Sequence, residues 1–377
     1  MLDRIRRSTT LQRMARSIHP ANVKRAVLDR AFPYTFTSCE KAFGDRFLRG
    51  TPFCESQRVN SPPPEPAGNS TTLDIPQRRC LFLQDGHVWP AHAMATGRHG
   101  LVPIESGFDL SRMESIRRSG TLSHYPILES RSDAVVAIEC GVWWMNYYHA
   151  MIEALPRVWA LHFGECRDIA SIEVLVSRLT SPGWRAMLEA MLPANARVRA
   201  VPVESLVRCG TVIVSPCLPV FEAGFLPPAY VEFFRATMSA LHGFPRFRSS
   251  TRIYVSRSRA LMRRVANEDE VMKMLETRGF QFIHLEDMSF ADQYAIFSRA
   301  EVVVAPHGAG LTNIIYSPPG CVVLDVFPSE PVPYYRWLAL SCGHRYAWMR
   351  GDRRDKNVAS FPLEIEALAR KLDEIGG

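Results

Sequence analysis

The sequence predicts an α/β protein made of two doubly wound units. Three observations carry that reading. Apolar, β-branched runs alternate with segments of helical period, a pattern that folds as parallel strands flanked by helices. The alternation breaks at Gly243-Phe244-Pro245-Arg246-Phe247-Arg248-Ser249-Ser250 and then restarts, so two units meet there. In the second unit Glu301-Val302-Val303-Val304-Ala305-Pro306 runs straight into His307-Gly308-Ala309-Gly310, a buried strand entering a small-residue turn.

Residues 1–79 form a poorly defined segment. Arg4, Arg6, Arg7, Arg13, Arg16, Lys24 and Arg25 are interleaved with Leu2, Ile5, Leu11, Met14 and Ile18. That pattern suits either a basic amphipathic helix on an anionic membrane or a solvated end. Ser61-Pro62-Pro63-Pro64-Glu65-Pro66 reads as loop, because proline removes backbone donors. A glycosylation sequon at Asn69-Ser70-Thr71 is discounted in the absence of a secretory leader.

The first α/β unit spans residues 80–243. Residues 80–83 and 87–89 flank Asp85-Gly86 and read as a hairpin. Residues 134–139, 172–177 and 211–215 read as strands. Residues 146–163, kinked at Pro156, and residues 182–192 and 228–241 read as helices.

The second unit spans residues 250–350. Strands are expected at 252–256, 280–285, 302–305, 321–327 and 345–349. The helices between them start at Asn267, with Glu270 completing a capping pattern, at Ser289, at Leu311 and at Pro333. A final amphipathic helix falls at 363–375, within a closing segment at 360–377. In such a sheet the ligand lies at the C-terminal strand ends.

The 377 residues are 47% hydrophobic and 22% charged, the balance of a soluble globular protein, with a formal charge of +7. Nearly all the positive charge is arginine, which grips phosphate and carboxylate bidentately. The nine cysteines are scattered, odd in number and free of any C-x-x-C pair, which disfavours a disulfide framework or a cysteine-rich zinc site and fits a reducing cytosol. No spanning apolar run occurs. Nucleic-acid binding rests on charge alone, with no aromatic-basic module. The P-loop, the dinucleotide fingerprint, H-E-x-x-H, G-x-S-x-G and D-x-D are all absent, so neither a dehydrogenase nor a carboxylate pair holding a metal on a nucleotide is evident.

Four constellations can carry chemistry. The first is Asn146-Tyr147-Tyr148-His149 with Glu153 and Arg157: on an α-helix His149, Glu153 and Arg157 share one face. His149, oriented by Glu153, can take a proton from a sugar hydroxyl. A surface histidine beside an ordinary Glu153–Arg157 ion pair fits the spacing too. The second is Ser256, Arg257 and Arg259 at a strand end, continuing to Arg263 and Arg264, where Arg257 can neutralise a departing diphosphate or the whole stretch can be a solvated basic loop. The third is the turn of His307, Gly308, Ala309, Gly310, Leu311, Thr312 and Asn313, whose glycines let an anion approach the N–H groups at a helix start. Plain strand-to-helix turns use the same residues. The fourth is Asp325 near the end of an apolar strand, placed to accept from ribose hydroxyls or to cap the next turn.

Asn146-Tyr147-Tyr148-His149, Tyr254-Val255-Ser256-Arg257, the 307–313 turn and Ser317-Pro318-Pro319-Gly320 stand in an order and spacing that resembles glycosyltransferase family 61 over roughly residues 125–330. That family includes bacterial capsular-polysaccharide-type transferases and eukaryotic O-linked N-acetylglucosamine and xylan pentose transferases. The resemblance implies a GT-B fold, two facing Rossmann-like domains with parallel sheets and an interdomain cleft. It implies a nucleotide-sugar donor, most often UDP-linked, and inversion at the anomeric carbon. This chain has Ala150 where many relatives place Trp, and Asp325 where many place Glu.

The expected protein is therefore a cytoplasmic, metal-independent, inverting glycosyltransferase without a resident cofactor, acting on a glycan or lipid-linked saccharide, either free or in peripheral contact with the inner face of an anionic membrane. His149 and Glu153 are the expected catalytic pair. Ser256, Arg257, Arg259, residues 307–313 and Asp325 are expected on the donor side, and Asn146, Tyr147, Tyr148 and Arg157 on the acceptor side. The alternative is a non-catalytic nucleotide- or glycan-binding protein on the same scaffold.

Overall fold

The computed structural model describes residues 36–37, 47–60, 72–75, 77–90, 94–96, 102–103, 125–138, 146–202, 204–216, 218, 224–243, 250–351 and 359–376. The basic stretch before residue 26, the proline run, the sequon and residues 244–249 of the expected break lie outside them.

Two sheets dominate the described residues. The first has eight strands. Its main path uses β1 (Phe47–Cys54), β2 (Arg78–Trp89), β3 (Ala134–Ala137), β4 (Ile172–Ser177), β5 (Ala196–Val201) and β6 (Leu206–Val214), in the order β5-β4-β3-β6-β2-β1. The β5-β4-β3-β6 portion is parallel, whereas β6–β2 and β2–β1 are antiparallel. The sheet thus reaches back past residue 80 and is mixed rather than wholly parallel.

The expected hairpin at 80–89 is a single strand. β2 pairs with β6 in one unbroken register from Leu81 through Val88, passing through Asp85, which takes φ 52°. The Asp85-Gly86 pair carries a turn signature, but Val212 of β6 packs against Gly86 where a Cβ would stand. Strand β5 was not legible in the sequence, because Arg197 and Arg199 interrupt its apolar pattern. Both reach the buried Glu173 on β4, at 3.1 and 2.8 Å.

The second sheet is parallel throughout: β7 (Thr251–Val255), β8 (Phe280–Ile283), β9 (Ala300–Pro306), β10 (Val322–Phe327) and β11 (Arg345–Arg350), in the order β8-β7-β9-β10-β11. In sequence terms this is 2-1-3-4-5, a doubly wound order whose reversal falls between β7 and β9. β9 and β10 are buried almost end to end, which is why they read as continuous Val-rich runs.

The helices are α1 (Pro182–Ala190), α2 (Pro228–His242), α3 (Glu268–Glu276), α4 (Phe290–Phe297), α5 (Tyr334–Ser341) and α6 (Ile365–Ile375). Ser289 and Asp292 form the capping box of α4. Asn267 stands at the start of α3 but caps nothing; its amide instead pins Leu363, exchanging bonds of 2.9 Å with that residue's N–H and C=O. One apolar core runs between the two sheets, from Phe82 and Val136 through Ile152, Phe234 and Ile314 to Val303 and Leu338. Arg235 of α2 fastens the halves, donating from Nε to the Ile315 carbonyl at 2.8 Å.

Residues 146–163 do not form one α-helix. A single α-turn (Tyr147–His149) passes into a π-helical stretch (Ala150–Ala154) and then a 3-10 helix (Leu155–His162) with Pro156 in its first turn. Pro156 has no N–H to continue the α-ladder. π-helical turns recur at functional sites, where they re-aim side chains.

Candidate functional site

The ends of β7 and β9 flank the order reversal of the second sheet, and both carry residues singled out in the sequence. β7 delivers Ser256 and Arg257; β9 delivers His307 and the glycine turn. A 3-10 helix (Ala309–Tyr316) follows, and the first turn of a helix leaves N–H groups without intrahelical partners.

Arg257 lies against Gly308. A Cβ built on Gly308 would overlap its guanidinium, standing 2.6 Å from Cζ. Gly308 has φ 170°, which any residue adopts, so glycine is needed here for the close approach and not for the backbone angle. Gly310 is crowded in the same way, by Leu285 at 2.8 Å and Val255 at 3.4 Å. Burial holds the Arg257 guanidinium below its usual range, and the charge of nearby Arg263 adds to the effect.

His307 and Asp325 form a buried pair. His307 Nδ1 lies 3.2 and 3.1 Å from the two Asp325 oxygens, and the Tyr346 hydroxyl donates to Oδ2 at 3.1 Å. The His307 ring stacks on Phe327 at 4.5 Å. Asp325 is fully buried, at 0% exposure, with its oxygens taken. The expected ribose contact is therefore corrected: β10 is buried on both faces, and Asp325 is held there by His307 and Tyr346.

Other donor-side expectations are redistributed. The Ser256 hydroxyl is buried and donates to Glu268 Oε2 at 3.0 Å, while Tyr254 donates to Oε1 of the same carboxylate at 2.9 Å. Arg259 is exposed and bound to Asp287 through both carboxylate oxygens, at 2.5 and 2.6 Å. Leu311, Thr312 and Asn313 are buried in the helix that follows the turn, His307 and Gly308 are buried before it, and Ala309 and Gly310 are half-buried.

The first half closes over this region. Asn146 caps its helix, its side chain accepting from Tyr148 N–H at 3.0 Å. The Tyr147 hydroxyl crosses to Asn313 Oδ1 at 2.6 Å, and its ring packs on Trp184 and Phe290. His149 and Glu153 meet at 3.0 Å between Nδ1 and Oε1, with the His149 side chain 33% exposed. Arg157 does not join them. It is 2% exposed and turned into the core, donating from Nη1 to the Ser215 carbonyl and from Nε to the Glu153 carbonyl, each at 3.2 Å. The change of helix type after His149 rotates position 157 away from the face that α-helical spacing assigns to it.

Rings connect the two halves: His149 to Tyr148 at 5.4 Å, Tyr148 to Tyr335 at 5.7 Å, and Tyr335 to His307 at 5.1 Å. Tyr335, Tyr334 and Arg263 complete the site, and sequence reasoning gave them no specific role. Burial raises the Tyr335 hydroxyl above its usual range, with Arg257 and Arg263 among the groups pulling the other way. Among the described residues, no group of three or more His, Cys, Asp or Glu side chains is arranged to hold a metal ion. No helix there is long and apolar enough to cross a membrane.

Residues 147–324 match the glycosyltransferase 61 family, from the Tyr147 turn to the middle of β10. Over 103 residues the chain is 33% identical to the EGF domain-specific O-linked N-acetylglucosamine transferase of Drosophila melanogaster, covering 26% of this chain and 20% of that protein. Over 116 residues it is 37% identical to the protein O-linked-mannose β-1,4-N-acetylglucosaminyltransferase 2 of Xenopus tropicalis, covering 28% and 20%. The chain spans about a fifth of the length of the curated relatives it matches. The family 61 region contains His149, Glu153, Arg257 and the glycine turn together.

Proposed function

We propose that this chain is an inverting, metal-independent glycosyltransferase of GT-B type that moves a sugar from a UDP-linked donor to a hydroxyl of a glycan or lipid-linked saccharide. The observation that carries the reading is Arg257 lying on Gly308 at the order reversal of a parallel sheet, inside the family 61 region. A guanidinium beside a helix start, whose first N–H groups have no intrahelical partner, suits a diphosphate.

In this reading the acceptor oxygen attacks the anomeric carbon from the side opposite the diphosphate. The bond from that carbon to the diphosphate oxygen breaks, and its electron pair leaves with UDP, whose charge Arg257 and the 308–310 turn absorb. Glu153 engages His149 at Nδ1, leaving Nε2 to take the acceptor proton. Two relatives are named for N-acetylglucosamine transfer, so UDP-N-acetylglucosamine heads the donor candidates. In this reading the reaction takes place in the cytoplasm, which the scattered, unpaired cysteines suit, and the basic N-terminal stretch is the peripheral membrane contact.

A thermal-shift panel of nucleotide sugars, followed by measurement of UDP release with and without saccharide acceptors, tests this. One donor class should stabilise the protein and be turned over. A panel with no stabilising member contradicts the donor site; binding without release of sugar makes the chain a nucleotide-binding protein on the same scaffold.

A further inference from the structure

Between β7 and Val265 the chain makes a loop whose tip, Leu261, is 90% exposed. Arg263 closes that loop with φ 59°, one of two non-glycine residues with a positive φ among the described residues. The left-handed conformation costs an L-residue about 1–2 kcal/mol and persists only where the surroundings impose it. They do so here from both sides. Downstream, Arg264 N–H is bonded to the Ala359 carbonyl at 3.0 Å and Val265 pairs with Phe361. Upstream, Arg257 Nη2 donates to the Met262 carbonyl at 3.3 Å, and Ala260 N–H to the Arg257 carbonyl at 2.9 Å.

The bend brings the Arg263 charge close enough to be felt by Arg257, and both also act on the buried Tyr335. Both guanidiniums are half-buried and like-charged, an arrangement that an anion would relieve. Among the described residues neither Arg257 nor Arg263 forms an ion pair, and Nε of each is buried without a hydrogen-bond partner. A buried donor left unmade costs about 1–3 kcal/mol. Of the nearby carboxylates, Asp287 is committed to Arg259, Glu268 to Tyr254 and Ser256, and Asp325 to His307 and Tyr346, while Glu286 reaches Arg257 only through its charge, from an exposed position.

We infer that Arg263 is the second half of a two-arginine clamp that, with Arg257, takes the two phosphoryl groups of a nucleoside diphosphate. This rests on the donor-site reading above and adds to it a residue and a stoichiometry: two planar forks for two phosphoryl groups. The strained backbone at Arg263 is what aims the second fork inward, while neighbouring Arg264 remains exposed.

Titration calorimetry with inorganic pyrophosphate, UDP and UMP on the wild type, Arg263→Gly, Arg263→Gln and Arg257→Ala tests the clamp. Glycine accepts the left-handed backbone, so Arg263→Gly should melt no lower than the wild type without ligand. It should bind UDP and pyrophosphate about tenfold or more weakly, UMP should lose less, and Arg263→Gln should behave likewise. Unchanged UDP and pyrophosphate affinity in Arg263→Gly, with affinity lost in Arg257→Ala, overturns the clamp and leaves the donor site standing. A wild type that binds neither UDP nor pyrophosphate removes both.

Discussion

The guanidinium of Arg257 occupies the space where a side chain on Gly308 would begin, 2.6 Å from Cζ to the first carbon. Any residue other than glycine at 308 must push the arginine away. Gly308→Ala should therefore weaken UDP binding, by about 1.5–3 kcal/mol, the worth of a hydrogen bond to a charged group, if the displaced arginine no longer reaches the diphosphate. The thermal midpoint should move little, because the displaced group is a half-buried side chain rather than core. Parallel calorimetry and thermal melts read the two effects separately.

In the proposed mechanism His149 takes the acceptor proton. His149→Ala should keep UDP affinity and lower transfer by about 10²- to 10⁴-fold. Glu153→Gln should fall between wild type and His149→Ala, since it leaves the base but not the carboxylate 3.0 Å from Nδ1. Steady-state transfer with a saturating donor measures both; unchanged turnover in His149→Ala removes it from the mechanism.

Asp325 holds His307 and Tyr346 from a fully buried position. Asp325→Ala leaves both buried groups without their partner and should cost about 1–3 kcal/mol of stability for each group left unsatisfied. Denaturant unfolding checks it. A change near zero would mean that the carboxylate is not what orients His307.

His344 gives the fold a pH dependence. Burial pushes this histidine down to about 4, and its ring lies 2.8 Å from the Ile314 carbonyl, behind the glycine turn. The folded state favours the neutral ring, so the unfolded chain binds the extra proton between about pH 6.5 and 4. The contribution to stability is complete above 6.5 and is lost progressively as the pH falls to 4, reaching about 3 kcal/mol. His344→Gln should flatten the stability profile across that window, as chemical denaturation at several pH values would show.

The second sheet was largely legible because β9 and β10 are central parallel strands and write their burial as unbroken apolar runs. The Arg257 and glycine-turn pairing was legible for the same reason: both stand at the ends of such strands. The rest was hidden where tertiary contact overrides a local pattern. Asp85-Gly86 has the composition of a turn, yet β6 pairs on both sides of it. Arg157 has the spacing of an α-helical face, yet the helix changes type beneath it. Arg259 stands two residues from Arg257 but is drawn off by Asp287, whereas Arg263 is turned inward by a backbone angle that no residue pattern announces.

The most direct test of the central claim is a calorimetric titration of UDP into the wild type and Arg257→Ala. The wild type should bind UDP, and the variant should bind it at least about tenfold more weakly while keeping its melting temperature, since a charged phosphate contact is lost and no core is disturbed. Equal affinities for the two proteins would contradict the account.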